Sequence, residues 1–350
     1  MPVNTGLAQL SNGFLLAALV SYSLAVLAFA GDFAYGRRAW SGAPARARVP
    51  ELAVAGVPAA GGPAVDSGGG FTGDRPGGAA GSDAPAAPRG RARQVAQAGP
   101  WVRAALALTV TGLAAHMLGV LARGLAAHRV PWGDMYEFVT ALTCVAVLFF
   151  LVVMIRYRAW SLGLFVMAAV VGALGLAETV IYTPAGPLAP ALQSYWLAIH
   201  VTAMTLATGI FLVAAVLGVV YLFAERHARR LAAGQPAGND GILRRLPGPE
   251  ALDRLAYRTV VFAFPVWTFG LMAGAIWADQ AWGRYWGWDP VETWAFITWV
   301  VYACFLHARA TPGWKGRKAA WIQLTGFGCL LFNVIGVQVF ITGLHSYAGL

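Results

Sequence analysis

The sequence contains eight apolar runs of about 20 residues, and each run is long enough to cross a bilayer as a single helix. Hydrophobic residues make up 58% of the chain and charged residues only 11%, which excludes an ordinary soluble enzyme. The runs do not alternate as β-barrel strands do, and a helix satisfies its own backbone groups in lipid. We therefore expect an all-α polytopic membrane bundle, with spans at about 10–33, 101–122, 135–155, 160–181, 195–223, 259–278, 291–309 and 320–343.

The basic residues that produce the formal net charge of +10 lie almost entirely between the apolar runs. If the N-terminus is placed outside, only Arg123, Arg129 and Arg284 fall on the external side. This asymmetry follows the rule that internal loops carry the excess of Lys and Arg. It predicts that both chain termini are external, and it accounts for the charge without nucleic acid as a partner.

Residues 36–98 separate the first apolar run from the other seven and are rich in Gly, Ala and Pro. Such a composition buries too little apolar surface to offset chain entropy. We therefore expect a first transmembrane helix at 1–35, a disordered cytoplasmic linker at 36–98 and a seven-helix membrane domain at 99–350. The first run has neither a basic flank nor a cleavage site, so it is interpreted as a retained span.

Tryptophan is concentrated in the third external loop, 279–290, and in the helix ends beside it. An aromatic belt at the membrane surface would explain one or two of these rings, but not their density. The alternative is a flat apolar platform for a large conjugated ligand such as a porphyrin, with Gly283 and Gly287 allowing close approach of the backbone. Six of the 14 tryptophans lie here: Trp277, Trp282, Trp286, Trp288, Trp294 and Trp299.

Two carboxylates close this loop onto the seventh span. Asp289 has the position of a helix N-cap, Pro290 that of the first helical residue and Glu292 that of the third. The spacing favours a structural role for both carboxylates over a catalytic one.

Three histidines are the candidate ligands for a porphyrin metal. His200 lies about one turn inside the external end of the fifth span, and His345 lies just beyond the external end of the eighth. Two imidazoles and an apolar sheath are what a low-spin haem iron requires. His307 lies near the inner end of the seventh span, where a polar ring needs a ligand or a partner. For His116 a helix-packing role is favoured, and the role of His128 stays open.

The segment WGWDPVETWAFITWVVYACFLHAR, residues 286–309, resembles the tryptophan-rich (WWD) signature of the CcsA/ResC family, called CcsB in some bacteria, of system II cytochrome c biogenesis. The similarity runs from about residue 105 to the C-terminus. Asp134 stands where a second family pattern, R…GHxPxxNxYE, has Asn, and the Gly before the His is missing. The residues that match this pattern are Arg123, His128, Pro131, Tyr136 and Glu137.

The resemblance implies a function in haem handling at a bacterial cell membrane. Haem b would cross the membrane and be presented outside in reduced form, where the CxxCH thiols of apocytochrome c add across its vinyl groups. The chain would then be a component of a cytochrome c haem lyase or synthase. It would act with a separate ResB-type membrane subunit, and thiol-reducing proteins would act indirectly.

The resemblance also implies roles for individual residues. His200 and His345 would be the axial ligands of the external haem iron, and His307 would be one ligand of an inner haem. Arg284 would pair either with a haem propionate or with Asp279 or Asp289. The residues expected to surround the external haem are Trp282, Trp286, Trp288, Asp289 and Trp294.

Three other interpretations remain open at the level of the sequence. A system I type of protein would deliver haem to a chaperone without attaching it. A non-haem transporter would use the Trp and His residues to line an apolar path or a proton relay. A structural scaffold for other subunits would depend little on these residues. The absence of a catalytic triad motif, a phosphate-binding loop and a zinc motif leaves hydrolase, ATPase and metalloprotease functions without support.

Overall fold

The computed structural model describes residues 3–35, 99–188, 192–235 and 241–345. Within these ranges there are eight long helices and no strand, so the prediction of an all-α bundle with eight potential membrane spans is confirmed. Their bounds are α1 Thr5–Tyr35, α2 Pro100–Ala126, α3 Met135–Tyr157, α4 Gly163–Thr179, α5 Tyr195–Ala232, α6 Pro249–Trp282, α7 Pro290–Ala310 and α8 Arg317–Phe340.

Two helices extend well beyond the predicted apolar runs. Helix α5 has 38 residues and α6 has 34. The extra turns of α5 carry helix-forming polar residues, and Arg229 pairs with Glu225 one turn earlier at 2.6 Å. An apolar run therefore marks only the part of a helix that can lie in lipid, and the helix itself can be longer.

Helix α8 is regular except at Phe332–Gly336, where it widens into a π-helical turn before ending at Phe340. A π turn is rare and often lies at a functional site. The sequence pattern gave no indication of it, because an apolar run has the same composition in either helical form.

Small residues allow the helices to approach one another closely, as is common in membrane bundles. Gly112 of α2 lies against the ring of Tyr22, and Gly119 lies against the side chain of Leu15 on α1. On α5, a β-carbon at Gly209 would stand 2.6 Å from the Leu142 carbonyl oxygen of α3. These contacts fix which helices are neighbours.

The helix ends define two ends of the bundle. The Asn4 amide donates to the carbonyl of Ala126 at 2.9 Å, so α1 begins where α2 finishes. Helices α3, α5 and α7 also begin at this end, and α8 finishes there. We call it the site end, because the candidate site described below lies there. Both described chain ends thus lie at the same end of the bundle. Their location outside the membrane remains a prediction.

The predicted linker at 36–98 lies outside the described residues, and the division into 1–35, 36–98 and 99–350 remains a prediction. The described residues all belong to one compact unit.

Gly209→Ala is expected to destabilise the bundle by about 1–3 kcal/mol, because the new methyl group would press on the α3 backbone. The measurement is thermal unfolding of the purified protein in detergent. Gly172→Ala on α4 is the matched control, since no atom lies within 4 Å of its β-carbon position. An equal midpoint for Gly209→Ala and the wild type would contradict the packing described above.

Candidate functional site

A cavity opens between the start of α3 and helices α5, α6, α7 and α8 at the site end. It contains roughly 800 Å³ of space not filled by atoms, including the part that opens to the surroundings. Its wall is mostly apolar and includes the rings of Trp132, Trp267 and Trp277. His200 and His345 both line it.

His200 is positioned by close packing between α5 and α6. Its Nδ1 lies 2.8 Å from the carbonyl oxygen of Gly270. A carbonyl can only accept, so Nδ1 carries the proton and Nε2 keeps the lone pair that a metal needs. The ring fits because Gly274 has no side chain, and a β-carbon there would stand 2.6 Å from the imidazole.

His345 is positioned by the carboxylate of Asp289. Its Nδ1 lies 2.7 Å from one carboxylate oxygen, and the other oxygen accepts from the Leu344 amide at 2.6 Å. Burial alone would raise the pKa of Asp289, but the hydrogen bonds from His345, Leu344 and Val291 outweigh it and lower that pKa. A carboxylate on the far nitrogen is the usual support for a metal-binding histidine.

One indole lies beside both imidazoles. The ring of Trp277 is nearly parallel to that of His200, with centroids 5.9 Å apart, and its centroid is 5.8 Å from that of His345. Trp282 completes this group, with its ring centroid 4.8 Å from that of Trp277 and 5.0 Å from that of His345. The structure therefore brings together two of the three predicted histidine ligands and one of the predicted loop tryptophans.

The other predicted tryptophans lie elsewhere. Trp286 and Trp288 contact each other edge to face and both contact Phe296 on α7. Trp294 contacts Phe332 on α8, with centroids 4.4 Å apart. None of these three tryptophans lines the cavity.

Arg284 and Glu292 serve the loop itself. Arg284 lies 3.6 Å from the carboxylate of Glu292, rather than beside Asp279 or Asp289. Glu292 accepts from the amides of Gly287 and Asp289, and the Asp289 side chain caps α7, so the predicted capping box is confirmed.

His307 and His116 lie away from the cavity. His307 is exposed in the last turn of α7, at the opposite end of the bundle. His116 is buried between α1 and α2, with its Nδ1 3.3 Å from the Tyr22 hydroxyl oxygen, as expected for a packing role. His128 lies in the loop after α2 in the left-handed backbone region.

A charge cluster supports the cavity from the α2–α3 loop, with Arg123 and Glu137 buried and Arg129 and Asp134 half-buried. Glu137 accepts from Arg123 at 2.9 Å and from Arg129 at 2.6 Å. Arg123 also donates to the carbonyl of Thr183, and Arg129 donates to the carbonyl of Gly186, both in the loop after α4. The cluster therefore joins the two loops next to the cavity.

Asp134 connects this cluster to the cavity, which it lines. Burial, together with the neighbouring Glu137 carboxylate, raises the pKa of Asp134 to about 6. Its side chain also caps α3 by accepting from the Glu137 amide at 2.8 Å.

Sequence reasoning missed several residues that position His200 or line the cavity. Gly270 and Gly274 had a usable signal, because the GxxxG spacing in an apolar run indicates close helix packing. The polar residues that no sequence pattern indicated are Thr208, Asn333 and Gln338.

Comparison with known proteins places this arrangement in a family. Residues 132–345 match the family model described as "Cytochrome C assembly protein", and this range includes every residue of the two-histidine site. The chain is therefore a multispan helical protein that belongs to the cytochrome c assembly family.

Curated relatives in this family carry the name cytochrome c biogenesis protein CcsA. That of Chlamydomonas reinhardtii is 42% identical over 47% of this chain and 43% of its own length. That of Guillardia theta is 35% identical over 63% of this chain and 77% of its own length. That of Parasynechococcus marenigrum is 40% identical over 47% and 58%. This chain thus spans from less than half to about three quarters of these relatives.

A solved structure described as "Cytochrome c Heme Lyase CcmF" shares the fold. The TM-score is 0.58 over 95% of this chain and 47% of that chain. The sequence identity is 17%, so the likeness concerns the arrangement of helices.

Asp134→Asn is expected to make the protein more stable at pH 7, by on the order of 1–2 kcal/mol, while keeping the helix cap. The carboxyl has a raised pKa in the folded protein, so the folded state holds its proton more tightly than the unfolded state does. Its favourable contribution to the free energy of unfolding is therefore fully present below its ordinary pKa and is lost as the pH rises through about 6. The wild type should therefore unfold at a lower temperature at pH 7 than at pH 5, and the variant should show a smaller difference. The same difference in both proteins would contradict the role given to Asp134.

Proposed function

We propose that this chain carries haem b across a bacterial cell membrane and presents it, in reduced form, at the site end for covalent attachment to apocytochrome c. The site end then faces the outside. The observation that carries this proposal is the pair His200 and His345, which line one cavity while each Nδ1 is held by an acceptor.

The lining of the cavity also supports this proposal. Its largely apolar lining suits the faces of the macrocycle, and the Trp277 ring lies against both imidazoles. The two supports differ, because a neutral carbonyl holds His200 and a carboxylate holds His345. An imidazole that donates to a carboxylate is the more electron-rich ligand.

The chemistry requires orientation rather than a catalytic acid or base. Each cysteine S–H of a CxxCH segment adds across one vinyl C=C of haem, which gives a thioether with the hydrogen on the terminal carbon and no net oxidation. The chain would hold the ring so that the vinyl groups meet the thiols.

Product release requires that one imidazole gives way to the histidine of CxxCH. His200 is fixed within helix α5, whereas His345 lies beyond the last helical turn of α8. We expect His345 to be displaced, because its movement does not require a helix to move.

His307 supports the proposed entry of haem at the end of the bundle opposite the cavity. It is exposed on α7 at the end opposite the cavity, where a ring from another chain could meet it. We propose that it binds haem on entry, with the other ligand supplied by a ResB-type subunit.

Co-expression tests this function in a host without its own cytochrome c pathway. With a ResB-type subunit and a reporter apocytochrome, the wild type should give covalently attached haem, and His200→Ala should reduce the yield about tenfold or more. His227→Ala, near the opposite end of α5, is the matched control and should retain the yield. Haem that reaches the reporter without a covalent bond would indicate delivery alone, and undiminished attachment by His200→Ala would contradict the proposal.

Asp289→Asn is expected to weaken haem binding by about 10–100-fold and to raise the reduction potential, because the charged support of His345 is lost. Titration followed by absorption, together with a redox titration, measures both effects. Asp279→Asn removes a carboxylate from the last turn of α6 and should leave both unchanged. Equal potentials in the two variants would show that the carboxylate of Asp289 serves only as a helix cap.

A further inference from the structure

The cavity continues from the two imidazoles towards the middle of the bundle. Thr208 lies about 12 Å further along α5 than His200, at a rise of about 1.5 Å per residue. Asn333 lies in the π-helical turn of α8. Both side chains line the cavity, and they are only 3% and 5% exposed.

Each of these two side chains has a polar atom without a partner. The Thr208 hydroxyl oxygen and the Asn333 carbonyl oxygen are buried and make no hydrogen bond. By contrast, Thr202 on the same helix donates to the carbonyl of Ala198 at 2.6 Å. A buried polar atom left unsatisfied is costly, so two of them on one cavity wall indicate that a bound group completes their hydrogen bonds.

The two atoms select the chemistry of that group. The amide oxygen of Asn333 only accepts, whereas the hydroxyl of Thr208 donates and accepts. A partner that satisfies both must offer a donor to Asn333, and a protonated carboxyl does so while its C=O accepts from Thr208. An ionised carboxylate would have no Lys or Arg counter-ion here, because no such residue in the described part of the chain lines this cavity.

We propose that Thr208 and Asn333 form a subsite for a protonated carboxyl group of the haem propionic acid chains. This inference rests on the proposed function. Thr208 donates to the carboxyl C=O, and the carboxyl O–H donates to the Asn333 side-chain oxygen. Since the propionic and vinyl groups occupy opposite edges of haem, the vinyl edge then faces the site end, where the thiols arrive.

The opposite orientation is disfavoured. In that orientation a propionate would lie near the site end, where Trp132 lines the cavity with a buried indole N–H without a partner. This N–H would attract the propionate, but Asp134, two residues further along, also lines the cavity and its carboxyl would repel it.

Titration of the purified protein with haem and with haem dimethyl ester tests the subsite. The ester keeps the iron and the C=O groups but lacks the acid O–H. The wild type should bind haem about tenfold more tightly than the ester, as expected for one hydrogen bond that the ester cannot make. Asn333→Leu should weaken haem binding and remove this preference, because it deletes the acceptor of the acid O–H. Thr208→Val should weaken the binding of haem and of the ester alike, because both ligands keep the C=O group to which Thr208 donates.

Thr205→Val is the matched control. The Thr205 hydroxyl is also buried and without a partner, but the residue does not line the cavity. This variant should keep the wild-type affinities for both haem and the ester. An unchanged bis-histidine spectrum with the ester shows that a variant is folded, and Thr208→Val alone carries the test if Asn333→Leu does not fold.

The outcomes separate this inference from the function on which it rests. If both substitutions leave both affinities unchanged, the two side chains hold only water and the subsite is wrong, while the proposed function stands. If neither haem nor the ester gives a bis-histidine spectrum with any variant or the wild type, the proposed function fails and the subsite fails with it.

Discussion

The geometry of the site depends on one carboxylate, that of Asp289. It caps α7, receives the Leu344 amide and holds the imidazole of His345, so a single side chain joins the start of α7 to the segment after α8. A β-carbon at Gly343 would stand 2.6 Å from the same carboxylate, which explains the small residue there. The side chain that starts the helix thus also places the imidazole of His345.

The second imidazole depends on a different constraint, the close approach of α5 and α6. Gly270 supplies the carbonyl that fixes the tautomer of His200, and Gly274 leaves space for its ring. The two imidazoles therefore have independent supports of unequal charge and mobility. In the proposed function, such a pair would retain haem through one imidazole while exchanging the other.

Much of the fold could be predicted because it depends on local chemistry. Apolar length identified the eight helices, and the spacing of Asp289 and Glu292 identified the capping box. The pairing of His200 with His345 followed from their positions relative to the spans. The partner of Arg284 could not be predicted, since Asp279, Asp289 and Glu292 are all near it in sequence and only the folded loop places Glu292 beside it.

The sequence alone determined which segments are helices, where α7 begins and which family the chain resembles, because these properties depend on composition and on residues a few positions apart. The tertiary structure decided which side chains share the cavity. Trp277 faces both imidazoles while Trp286 and Trp288 lie on Phe296, although all three belong to one tryptophan-rich stretch. Thr208 and Asn333 are 125 positions apart and meet at one wall only because helix packing and a π turn set the rotation of each helix.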